Sequence, residues 1–160
     1  MDELIEQVDE RDQVLGVVRR SEAVHHGWLH RISVTVCRDR DGRLLVHQRS
    51  GRASRFAWYY EVAVGGAVAV GESYKEAARR ELTEEMGVSA PVQFILKFLN
   101  RSGLSPHWHA VHEAVVPANV APAPDGVAWH GWLAETELCE FMRRQPFTPD
   151  SELFPTYRQG

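Results

Sequence analysis

"GGAVAVGESYKEAARRELTEEMGV", residues 65–88, organises the rest of the chain. Ser73, followed three residues later by Glu76, forms a capping box, in which each side chain satisfies the other's free backbone N–H at a helix start. Gly87 suits the left-handed position that ends a helix. Together they predict a helix over Tyr74–Met86. Ala78, Leu82 and Met86 then recur at i, i+4 as one apolar stripe, with Glu76, Arg79 and Thr83 on the far side. At about 100° per residue, Glu84 lies about 60° to one side of Glu81 and Glu85 about 40° to the other. Three carboxylates are therefore expected to converge on a strip bordering the buried face.

Like charges at i, i+4 cost a few tenths of a kcal/mol even in water, and more as solvent is excluded. The helix C-terminus, with its partial negative charge, adds to the penalty. Arg80 is spaced to pair with Glu84, but two arginines on the flanks do not neutralise three converging carboxylates. A hard divalent cation does, and Mg²⁺ favours carboxylate oxygens while keeping waters that bridge to phosphate. The competing reading of the three glutamates alone is a solvated acidic face.

Around this helix the chain reads as strands. "LIEQVD" and "QVLGVVRR" flank the turn-like "ERD", and "RISVTVCRD" and "RLLVHQRS" flank Asp41-Gly42, a strong hairpin signal. Val34, Val36, Leu44 and Leu45 are expected to face a core. "FAWYYEVAVGGAVAVGE" predicts a strand broken at Gly65-Gly66. "VQFILKFL" and "WHAVHEAVV" form a further pair joined by "NRSGLSP", and "PANVAPAPDG" reads as a surface loop. "WHGWLAETELCEFMRRQ" starts as a short strand and becomes a helix, and the proline-broken tail from Pro146 is expected to be irregular. Strands around one well-marked helix, with a second near the end, imply an α/β sandwich with a mixed sheet.

The 160 residues, 44% apolar and 25% charged, fit one globular domain, 1–160. A formal charge of −4 and a pI near 6.1 disfavour a nucleic-acid partner, since duplex binders carry a basic face. The acidic N-terminus lacks the pattern of a signal peptide and no run is long enough to span a bilayer, so a cytoplasmic protein with no membrane partner is expected. Cys37 and Cys139 lack C-x-x-C spacing and are expected to be reduced core residues. A monomer or a homodimer fits the chain equally.

Gly66, Glu72 and then "RELTEEMGV" reproduce all nine specified positions of G-x5-E-x7-R-E-U-x-E-E-x-G-U over residues 66–88, with U apolar. This pattern is similar to the signature of the Nudix hydrolases, which cleave nucleoside diphosphates linked to another moiety. The resemblance implies a Nudix-type α/β/α sandwich. It implies that Glu81, Glu84 and Glu85, with the carbonyl of Gly65, hold Mg²⁺, or Mn²⁺ in its place, and that Arg80 orients a glutamate. Gly66, Glu72 and Gly87 become structural positions of the box. The general base is then Glu81 or an acid outside the box, for which Glu113, a charge on an apolar strand, is the candidate.

"WLHRISVTVCRDRDGRLLVHQRS" further resembles the branch of the superfamily containing isopentenyl diphosphate isomerase. That isomerase needs a cysteine just before the position of Gly66 and a metal-binding histidine just after it. Gly65 and Ala67 stand there, so hydrolysis of a small-molecule diphosphate is expected over isomerisation or over non-catalytic nucleotide sensing. Arg49, Arg55 and Trp58 are the substrate-binding candidates, with Arg52, Tyr59 and Trp108 behind them. In "HWHAVH", His107 and His109 share a strand face and His112 has the opposite parity. That invites zinc, but no complete ligand set is visible, and substrate contact or plain exposure is expected for the three.

Overall fold

The computed structural model describes residues 2–103 and 105–157. The chain opens with the expected hairpin, β1 (Leu4–Val8) against β2 (Val14–Arg19), and continues directly into α1 (Arg20–His26). This helix was not expected from sequence: Arg19 at its N-cap makes no side-chain capping bond, and only Gly27, at φ 68°, marks its end. Next come β3 (His30–Arg38) and β4 (Leu44–Arg49). They join across Asp41-Gly42, where Asp39 Oδ1 accepts from the backbone of Asp41 and Arg43. β5 (Tyr60–Glu61) and β6 (Ala63–Ala67) precede α2 (Tyr74–Met86); β7 (Gln93–Asn100), β8 (His107–Val115), β9 (Val127–Leu133) and α3 (Glu135–Arg144) follow.

β3 is the axis of the sheet. It pairs antiparallel with β6 and parallel with β8, which pairs antiparallel with β7, so the sheet is mixed as expected. β3 meets β4 only at Arg38 and Leu44; from there β4 diverges to pair with β9 and β5. Alternation along β3 gives the sheet two apolar faces. Val34 and Val36 pack with Leu138 of α3 and with Phe154 and Tyr157. Cys37 packs with Ala78, Leu82 and Met86 of α2 on the other side. Helices thus cover both faces, the α/β/α arrangement.

The glycine pair does not break the strand. β6 runs through it, with Gly65 opposite Val34 and Gly66 opposite Ser33, and the interruption falls at Val62 instead. The glycines serve close approach: a Cβ on Gly65 would strike the backbone carbonyl of Ser33, and one on Gly66 would lie 2.8 Å from Glu81 Oε1. The tail also departs from expectation. It forms a 3₁₀ turn (Ser151–Leu153) and a last helical turn, α4 (Phe154–Tyr157), because Phe154 and Tyr157 are drawn into the core. Its final three residues, and Leu104 of the β7–β8 turn, lie outside the described residues. Cys37 is buried as expected, whereas Cys139 is exposed on α3.

α2 is seated at both ends. Ser73 and Glu76 form the reciprocal cap, and the Ser33 hydroxyl donates to the Tyr74 carbonyl at 2.7 Å. At the C-terminus, where carbonyls lack helical partners, Ala121 and Ala123 of the proline-containing loop donate to the carbonyls of Met86 and Glu85 at 2.9 and 2.8 Å.

The two glycines separate fold from site. Gly65→Ala drives a methyl into backbone and is expected to cost about 1–3 kcal/mol. Gly66→Ala meets only a side-chain tip, so it should shift Glu81 and lower activity while the melting temperature stays near that of the parent. Thermal melts of the two variants beside their turnover check the contrast.

Candidate active site

Glu81 and Glu85 lie on the side of α2 that faces Gly65 and Gly66. Glu81 touches the bare Cα side of Gly66, its side chain 13% exposed, and Glu85 accepts from the Gly65 backbone. Glu85 Oε2 is buried with no hydrogen-bond partner among the described residues. Burial, then the charges of Glu81 and Glu61, push the Glu85 carboxyl up to about 8. Burial likewise raises Glu81 above the usual carboxylate range, against the pull of Arg80.

Glu84 stands at the rim, sharing Arg80 Nη1 with Glu81. Its carboxylate is 58% exposed and pairs with Arg80 at 3.3 Å. That arginine holds four acidic or carbonyl partners. It donates to both oxygens of Glu72 (2.7 and 2.9 Å), to Glu81 (2.9 Å) and to the Ala67 carbonyl (3.1 Å) as well as to Glu84. Glu72 itself accepts from the Ala69 backbone at 2.9 Å, so it braces the turn into α2, and Arg80 orients Glu81 as the sequence suggested. Gly87 ends the helix at φ 66°.

The third acid of the buried group is Glu61, which sequence reading passed over. It stands in β5 beside His47, 3.3 Å from His47 Nε2 and 3.2 Å from Arg49 Nη1. Burial works to raise its carboxyl, but the bonds to His47 and Arg49 hold it below the usual range. The signal was present in "WYYEVAV": a lone acid in an aromatic and β-branched strand, the same argument that singled out Glu113.

Glu113 is not brought to this group. It pairs in register with Val36, on the sheet face away from α2, and its carboxylate meets Arg38 at 3.2 Å in a separate hollow of about 290 Å³. A cleft of about 500 Å³ instead reaches Gly65, Gly66 and Glu61, with Arg49 and Arg55 on its wall. Arg49 is thus at the cleft but engaged by Glu61, and its Nε donates to the Arg55 carbonyl at 3.2 Å. Trp58 does not line the cleft; it is 58% exposed and its indole covers Gly51. Trp108 is tied down elsewhere, its indole donating to the Asp9 carbonyl at 3.1 Å.

This arrangement suits a divalent cation on chemical grounds. Hard oxygen donors are gathered where a carboxylate oxygen is buried and unsatisfied, beside two residues without side chains. The NUDIX domain family model matches residues 27–155. The chain belongs to the Nudix family. Its relatives include an uncharacterised Nudix hydrolase of Streptomyces coelicolor, 41% identical over 152 residues that cover 93% of this chain and 84% of that one. An isopentenyl-diphosphate Delta-isomerase of Serratia proteamaculans is 36% identical over 91% of this chain and 84% of its own. The crystal structure of DR0079 from Deinococcus radiodurans superposes with a TM-score of 0.82 at 27% identity, covering 98% of each chain. This Nudix chain is accordingly a hydrolase of a family that acts on pyrophosphate bonds and generally uses divalent metals. No helix among the described residues is long and apolar enough to cross a membrane.

The raised Glu85 carboxyl sets a pH signature. A group whose folded pKa exceeds its unfolded value of 4.5 stabilises the fold fully below that value, and the contribution is lost as pH rises towards about 8. In chelator-treated protein, Glu85→Gln should therefore raise Tm by several degrees near pH 8 and change it little near pH 4.5. Equal effects at both pH values would show that the carboxylate is not strained in the metal-free fold.

Proposed function

We propose that this Nudix hydrolase cleaves the diphosphate linkage of a nucleoside diphosphate derivative or nucleoside di- or triphosphate, with Mg²⁺ as its ion and Mn²⁺ as a substitute. The observation that carries this reading is the buried, unpartnered oxygen of Glu85 beside Glu81, at the point where Gly65 and Gly66 bare the backbone to the cleft. Glu81 and Glu85, the Gly65 carbonyl and, from the rim, Glu84 would hold the ion. When bound, it would supply Lewis acidity towards the phosphates and a lowered pKa for water.

The chain's own residues account for the rest. Arg80 holds Glu81 in place, and Glu81, whose carboxyl is raised mainly by burial, is suited to take the proton of the attacking water. The water oxygen bonds to one phosphorus as the bridging P–O bond breaks, and the leaving phosphate keeps the bridging oxygen. Arg49 and Arg55 on the cleft wall suit the anionic substrate, Arg55 having no carboxylate partner among the described residues. The domain is best taken as one unit over 1–160, acting in the cytoplasm as a monomer or homodimer on a small molecule rather than on nucleic acid.

Isomerisation of isopentenyl diphosphate is the second reading, favoured by the Serratia relative's name and length of match. Against it stand Gly65 and Ala67 where a proton-donating thiol and a histidine ligand would be required.

A panel of nucleoside di- and triphosphates, nucleotide sugars, dinucleotides and prenyl diphosphates, assayed with Mg²⁺ for released phosphate groups, tests the proposal; inertness throughout would leave a nucleotide sensor. Incubation with isopentenyl diphosphate is expected to yield no dimethylallyl product, and its appearance would establish the isomerase. On the best substrate, Glu81→Gln and Glu85→Gln should each lower kcat by about 10²–10⁴-fold. Glu113→Gln should leave it within about twofold, because Arg38 and not substrate is its partner.

A further inference from the structure

The same cleft has a second wall, formed by His107 and His109 of β8 and by Asp150. Both histidines are buried, which leaves substrate contact and not plain exposure of the two expectations, and one ligand atom from each of the three residues lies within 4.8 Å of the others. His112, with the opposite parity, points to the α2 face, where its Nδ1 lies 3.1 Å from the Val34 carbonyl.

The hydrogen bonds fix where the imidazole protons are. His107 Nδ1 faces the Ser105 carbonyl at 2.9 Å, and a carbonyl only accepts, so Nδ1 carries the hydrogen and, in the neutral ring, Nε2 is a bare lone pair. The Tyr157 hydroxyl donates its single hydrogen to the Asp150 carbonyl at 3.0 Å. Towards His109 Nε2, 3.1 Å away, it can then only accept, so that nitrogen carries the hydrogen and His109 Nδ1 is bare.

With both rings neutral, His107 Nε2 and His109 Nδ1 direct two lone pairs at each other across 3.0 Å. Two acceptors at that distance repel unless a cation lies between or beside them. Among the described residues the donor beside the pair is Asn100 Nδ2, 3.5 Å from His107 Nε2 and engaged with Asp150 Oδ1 at 3.2 Å. Asn100 is itself fixed by its Oδ1, which accepts from the backbone and hydroxyl of Ser102 at 2.9 and 2.6 Å. Each prospective ligand thus has an outer partner that sets its orientation: Ser105 for His107, Tyr157 for His109 and Asn100 for Asp150.

We propose that His107 Nε2, His109 Nδ1 and the Asp150 carboxylate form a second metal site, for a borderline first-row divalent ion such as Zn²⁺, on the cleft wall facing Gly65 and Gly66. Two imidazoles and one carboxylate select such an ion over Mg²⁺, which prefers an all-oxygen shell. At Zn–N lengths of about 2.0–2.1 Å, nitrogens 3.0 Å apart subtend about 90° at the ion, and the remaining positions stay open to the cleft and to an anionic ligand. None of the three residues belongs to the acidic helix, so the site stands or falls apart from the hydrolytic reading.

Chelator-treated protein titrated with Zn²⁺ alone, by calorimetry, and with Co²⁺, by visible absorption, tests the site. Expected are one tight equivalent, retained in Glu85→Gln and weakened at least about 10-fold in His107→Gln and in Asp150→Asn. Because these side chains are buried, imidazole ¹⁵N spectra of the unaltered protein give a readout independent of variant folding. His107 should show its hydrogen on Nδ1 and His109 on Nε2, and stoichiometric Zn²⁺ should shift the two bare nitrogens. Unmoved histidine nitrogens on Zn²⁺ addition, a single proton shared between the rings, or Zn²⁺ binding that vanishes in Glu85→Gln but survives in Asp150→Asn would each overturn the proposal.

Discussion

The structure depends on how closely three pieces of backbone and side chain approach one another at Gly65 and Gly66. Gly65 lies against the Ser33 carbonyl, so β6 can sit tight on β3; Gly66 presents a bare face to Glu81, so α2 can bring its acidic side against the sheet. A side chain at the first position would part the strands, and at the second it would displace the carboxylate. The half-buried setting of Glu81 and Glu85 follows from this geometry, because helix packing through Ala78, Leu82 and Met86 holds the neighbouring positions against the sheet.

Charge around that point is arranged asymmetrically. Arg80 gathers Glu72, Glu81 and Glu84 on one flank, and His47 and Arg49 hold Glu61 on the other. Glu85, between them, accepts from the Gly65 N–H and keeps one oxygen unsatisfied among the described residues. Isolated buried carboxylates are costly unless paired with a cation or protonated. The concentration of that cost on one side chain distinguishes a place prepared for a ligand from a merely acidic surface.

Much of this was legible before any coordinates. The capping box, Gly87 and the apolar stripe fixed α2 at its observed limits, and the spacing of the acidic residues led to the family. What sequence misread were features whose cause lies elsewhere in the chain. Gly65-Gly66 looked like a break because glycine usually signals a bend, whereas here it answers a neighbour 30 residues away. α1 lacked a capping side chain, and the tail became ordered because Phe154 and Tyr157 fill the core beside α3. Glu84, expected beside Glu81, meets it through a shared Arg80 nitrogen while its carboxylate stays largely exposed. His107 and His109 were visible as a pair on one face, but Asp150 arrives from 41 positions beyond His109 and only the fold could supply it.

The multiple grip of Arg80 has one further consequence. One guanidinium bonded to Glu72, Glu81, Glu84 and the Ala67 carbonyl ties strand, turn and helix together at a single side chain, so this flank of the cleft is held in shape by the protein's own charges.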